Sequence, residues 1–174
     1  AGDMVFNGKE ELFTADMNNL GSHTVLSAPL VDSASYDVFD FEIAPDGLSV
    51  VYRADHISNY DELWHVTFAN PGVASRLNPP IFSSVYDTYP GYKFTADGKG
   101  VVYRGDLKQN NLYDLMHSTF ANPGVATWLN AGASTGAFDL VGDNLVFTGN
   151  KSLYQTKLST PGNVLFASKW LGAS

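Results

Sequence analysis

Apolar and polar residues alternate along most of this chain with a period of two. In "ELWHVTF", Trp64, Val66 and Phe68 fall on one side, with Leu63, His65 and Thr67 opposite. "VFDFEI", "LSVVYRA" and "ASRLN" are short runs of the same kind, rich in β-branched and aromatic residues. This periodicity predicts β-strands, because successive side chains leave a strand on opposite faces. No stretch between turn signals carries an apolar stripe at helical spacing. Asp46-Gly47 and Asp97-Gly98 are hairpin signals, since glycine accepts the positive φ that tight hairpins require. Asn70-Pro71-Gly72 and Asn122-Pro123-Gly124 mark a second kind of turn.

The pattern repeats. "YDELWHVTFANPGVASRLN" (60–78) pairs without gaps with "LYDLMHSTFANPGVATWLN" (112–130), and "APDGLSVVYRAD" (44–55) with "TADGKGVVYRGD" (95–106). Fainter copies flank these: "VLSAPLVDSASYDVFDFEI" precedes "RLNPPIFSSVYDTYPGYKF", and "GDMVFNGKEELFTADM" resembles "GDNLVFTGNKSLYQTKL". Four short antiparallel strands in a repeat of about 50 residues are the pattern of a β-propeller blade. The predicted fold is therefore all-β, a single propeller segment with blades at approximately 1–31, 36–81, 89–132 and 137–170. Stacked blades should bury Val51, Tyr52, Leu63, Trp64 and Phe68, and their counterparts Val102, Tyr103, Leu115, Met116 and Phe120.

The chain resembles the TolB-like propeller repeats of bacteria. The resemblance rests on Phe41, Pro45-Asp46-Gly47, Val50 to Asp55, Glu62-Leu63-Trp64 and Leu77-Asn78. It extends to the next copy, where Ala96 stands in place of the usual proline. It is strong over residues 40–130 and implies a propeller in a periplasmic or extracellular bacterial setting. It implies no activity, because such propellers serve as docking scaffolds, as lids of serine peptidases and as modules of surface proteins. Rings of this family usually hold six to eight blades. Here the first copy lacks its inner strand, so a partial propeller is expected, with a closed four-bladed ring as the alternative. An open ring exposes sheet edges and apolar faces to association. The expected partner is another polypeptide, met by Met4, Val5 and Phe6 at one end and by Val164, Phe166 and Trp170 at the other.

Charge narrows the partners. Ten Lys and Arg against 18 Asp and Glu give a net charge of −8, which disfavours nucleic acid. No apolar run approaches the roughly 20 residues of a membrane-spanning helix. Cysteine is absent, so thiolate chemistry, disulfides and cysteine-ligated zinc are excluded.

Candidate chemistry is sparse. Arg53 and Asp55, with Arg104 and Asp106, form a repeated R-x-D. Residues two apart share a strand face, so each pair suits a local ion pair, an inter-blade contact or a ligand. His65 and His117 occupy matched positions in adjacent copies, but neighbouring sheets lie ~10 Å apart, too far for a shared ion. His23 and His56 have no such match. Asp32, Asp37 and Asp40 lack calcium-loop spacing. No nucleophile-elbow, phosphate-loop or zincin motif occurs. No cofactor and no metal are expected. The reading is a non-catalytic binding or scaffold module. The alternatives are the non-catalytic propeller of an enzyme such as a serine peptidase, or a glycan-binding propeller using Tyr60, Tyr89 and Tyr92.

Overall fold

The computed structural model describes residues 10–19, 21–30, 37–56, 60–81, 86–109, 111–130 and 134–169. Among these there is no helix, and fourteen strands form four antiparallel sheets. The first sheet pairs β1 (Phe13–Ala15) with β2 (His23–Val25). The second is a meander of β3 (Val38–Ile43), β4 (Ser49–Ala54), β5 (Glu62–Thr67) and β6 (Ala74–Arg76). The third contains β7 (Thr88–Phe94), β8 (Gly100–Gly105), β9 (Asp114–Thr119) and β10 (Thr127–Trp128). The fourth contains β11 (Thr135–Val141), β12 (Asn144–Gly149), β13 (Ser152–Lys157) and β14 (Thr160–Lys169).

The repeat is visible in the register. Ser49 pairs with Thr67, Gly100 with Thr119, and Asn144 with Lys157, so the three large sheets superpose position by position. The turns follow their sequences. Gly47 and Gly98 have φ of 71° and 67° and donate to Ala44 O and Thr95 O. The side chains of Asp46 and Asp97 accept the Leu48 and Lys99 amides. Ala96 can replace proline here because Pro45 contributes only a preset φ, not a contact that closes the turn. In Asn70-Pro71-Gly72, Val73 N donates to Asn70 O and Gly72 sits at φ 78°. This is the type II pattern of proline followed by a left-handed residue. Gly124 has the same φ, 79°.

Alternation along each strand serves two neighbours at once. Val50, Tyr52, Trp64 and Val66 pack with Leu12 and Leu26, which flank β1 and β2 of the first sheet. Their strand neighbours Val51 and Leu63 turn the other way, onto Tyr92, Val101, Tyr103 and Met116 of the third sheet. One repeat later, Val102 and Leu115 pack onto Leu145 and Phe147 of the fourth. Each sheet therefore presents a bulky face backward and a branched aliphatic face forward. Two buried hydroxyls bond across neighbouring sheets: Tyr92 Oη donates to Val51 O at 3.0 Å, and Ser118 Oγ to Leu77 O at 2.9 Å. Tyr52 Oη accepts the Ala28 amide at 3.1 Å.

Eight of the ten expected core residues are buried. Phe68 and Phe120 are half-buried, because each begins the turn at a hairpin end and packs only toward the preceding sheet. The outer strands stop short of expectation. After β6, Asn78 leaves the ladder and accepts the Leu63 amide with its side chain at 2.8 Å. Met4–Asn7, expected to form the strand that follows the missing inner one, lies outside the described residues.

Trp64 is 7% exposed and packs on the first sheet. Trp64→Ala should cost ~3–5 kcal/mol in chemical unfolding. A loss under ~1 kcal/mol would place that ring in solvent and contradict the register.

Candidate functional site

The R-x-D residues do not pair with one another. Arg53 bonds to carboxylates other than Asp55. Its Nε donates to Asp40 Oδ2 at 2.9 Å, its Nη1 bonds to Asp61, and its guanidinium lies 5.0 Å from the centre of the Phe39 ring. Arg104 has a different setting. Its guanidinium lies 5.6 Å from the Tyr89 ring and 5.2 Å from the Tyr113 ring, and Nη1 donates to Gly136 O at 2.8 Å. Tyr89 pairs with Arg104 as Asp40 does with Arg53, and Tyr113 precedes β9 as Asp61 precedes β5. Two carboxylates thus hold the first arginine, and two aromatic rings the second. Arginine suits both, being planar and always charged.

The aspartates fasten backbone. Asp55 Oδ1 accepts the Asp37 amide at 2.6 Å, and Asp106 Oδ1 the Asp87 amide at 2.8 Å. Asp37 then accepts the Glu10 amide of the preceding repeat at 2.7 Å, and Asp87 the Asp61 amide at 3.0 Å. Backbone bonds run alongside, from Val38 N to Glu10 O, Thr88 N to Asp61 O and Thr135 N to Tyr113 O. At the last junction Ser134 Oγ accepts the Tyr113 amide at 3.3 Å. The same inter-sheet latch thus occurs three times. Asp37, Asp61, Asp87 and Ser134 were not singled out for it. The available signal was Tyr36-Asp37 and Tyr86-Asp87, which lie 50 apart instead of 51 and so fall out of register with the longer match.

The histidines separate. His65 stacks on Phe120 of the next sheet, with centroids 3.9 Å apart and planes 7° apart. His56 is buried against Trp64 and bonded to Tyr52 Oη at 2.8 Å, and burial pushes its pKa down to about 4. His23 packs edge-on against Phe13. Among the described residues no three metal-ligating side chains gather. Tyr92 is 2% exposed, so it has no ring face for a sugar, and Tyr89 is occupied by Arg104 and Tyr113.

The forward face of the fourth sheet is open. Val146 and Leu153 hold the positions of Val51/Val102 and Leu63/Leu115. The four earlier residues are 0% exposed, whereas Val146 is 36% and Leu153 37% exposed. Leu165, paired with Gln155, adds 67% exposure on that side. Of the residues expected at the partner contact, Val164 packs inward against the third sheet. Phe166 pairs with Tyr154, meets its ring edge-on, and is 57% exposed. The period-two register therefore points Leu165 forward, not its neighbours. Met4, Val5, Phe6 and Trp170 lie outside the described residues.

No family model matches the chain, and no curated protein does. Among solved structures it is similar to a chain from a study of two prolyl endopeptidases and their inter-domain dynamics, at 16% identity and a TM-score of 0.41. The match covers 85% of this chain and 29% of that one, so the chain spans under a third of that protein's length. No described helix is long and apolar enough to cross a membrane.

Burial, with Asp87 and Asp55 nearby, raises the Asp61 pKa to about 6 despite Arg53. A carboxyl whose folded pKa exceeds its unfolded value binds its proton more readily when folded. Its stabilising contribution is complete below the unfolded value, near 3.8, and lost as pH rises through about 6. Asp61→Asn should flatten the pH dependence of stability across that window. A carboxyl resonance of Asp61 titrating below pH 4 would contradict the assignment.

Proposed function

We propose that this chain is a run of β-propeller blades of the TolB-like kind, acting as a non-catalytic scaffold. It associates with another polypeptide through the forward face of its last sheet. Successive sheets stacked by the same residues at each junction support the blade reading. The observation that carries the function is the exposure of Val146, Leu153 and Leu165, the first two at positions that are fully covered by the following sheet in the second and third sheets. The occupant should be a further β-sheet of the same repeat. Val51 and Leu63 of the second sheet are covered by a bulky face that includes Tyr103 and Met116, and Val146 and Leu153 call for the same cover. The setting that accompanies this reading is periplasmic or extracellular.

A photo-reactive benzoylphenylalanine at Leu153 in the full-length protein tests this. The expected product is a cross-link to an aromatic or Met position of another β-sheet, in the same chain or a second one. Reaction with solvent alone would overturn the proposal. Leu153→Ala should also cost well over 1 kcal/mol in the full protein if the face is covered, and less if it is bare.

A further inference from the structure

Between the third and fourth sheets, at the hairpin end, lies an open cleft of about 630 Å³. Its walls include Thr95, Asp97, Lys99, His117, Asp143 and Leu158. Small-molecule sites span roughly 300–1,000 Å³. The matching junction one repeat earlier shows what such a place accepts. There His65 holds the position of His117, and Phe120 that of Leu158, as the register and the shared backbone bonds fix. His65 is covered face-on by Phe120, which also meets Phe94 edge-on at 6.4 Å. At the later junction the two aromatic positions are Leu158 and Leu140. Among the described residues His117 has no ring partner and lines the cleft instead.

We infer that this cleft is a binding site for an aromatic ring, which lies on His117 as Phe120 lies on His65. Two carboxylates stand on the rim, Asp97 and Asp143, against the Lys99 ammonium, so the lining carries a net negative charge; the Lys157 ammonium acts on Asp143 from outside the lining. Hydrogen bonds from Thr95 and Ser159 hold both carboxyls below their ordinary pKa, so they are ionised at neutral pH. The ring is therefore carried next to a positive charge, as in an aromatic amine or a peptide with Lys or Arg beside Trp or Tyr. Burial keeps His117 neutral near pH 7, so the imidazole is a flat stacking surface and does not repel the cation. The site lies within the chain and does not depend on what covers the last sheet.

Tryptamine and indole-3-acetate, titrated against the protein by NMR, separate the outcomes. Tryptamine should saturate a shift of the His117 ring protons and the Ser159 amide, and bind at least tenfold tighter than the acetate. Leu158→Phe should place a ring of the chain's own on His117 and abolish the shift with the fold intact. His117→Ala should weaken tryptamine at least fivefold if the first variant does not fold. Absence of a saturable shift, equal affinity in Leu158→Phe, or equal binding of both indoles would overturn the inference.

Discussion

A strand's side chains point alternately to its two faces, and in this molecule both faces of the inner sheets are apolar. That is the constraint on which the structure depends. Tyr52 and Val51 are adjacent, both fully buried, and buried against different sheets. Neither middle sheet can bury its apolar residues alone, so each is stable only between two neighbours. Stability then resides in junctions more than in sheets, as it does in repeat proteins generally. Burial of such a side chain contributes about 1.5–3 kcal/mol, and each junction collects several.

Apolar stacking is poor at fixing how sheets align, because it has little direction. The latches supply direction. Each places a carboxylate or hydroxyl against an amide just before β1, β5 or β9 of the previous sheet, beside a backbone bond of 2.7–2.8 Å. Charged acceptors make the stronger version of this bond. The third junction uses Ser134 in place of Asp, with a longer bond of 3.3 Å. It is also the junction with the open cleft, and the sheet beyond it keeps part of its apolar surface in water.

Much of the fold was legible because repetition and alternation are local signals. Paired glycine turns, the strands around "VVYR" and the two-faced packing of Trp64 and Leu63 follow from residue order alone. The site was less legible. The sequence shows that Arg53 and Asp55 share a spacing with Arg104 and Asp106. It does not show that the arginines meet two aspartates in one sheet and two tyrosines in the next. Asp61 and Tyr113 come from just before β5 and β9, and Asp40 and Tyr89 from β3 and β7 beside bulges, where the register shifts between Val38 and Asp40 and between Tyr89 and Lys93. A bulge changes which residue stands opposite without leaving a mark in the alternation. The same limit explains Val164: one residue of slip between Leu153 and Tyr154 decides which side of β14 faces out.

Native-state hydrogen exchange, read residue by residue, tests the junction account most directly. Amides of β4, β5, β8 and β9 should exchange slowest and together, since their sheets are buried on both faces. In this chain without its covering partner, those of β12 and β13, with one face open, should exchange faster despite equally complete ladders. Equal protection in all three large sheets, or slowest exchange in the fourth, would show that each sheet holds itself together and would contradict the account.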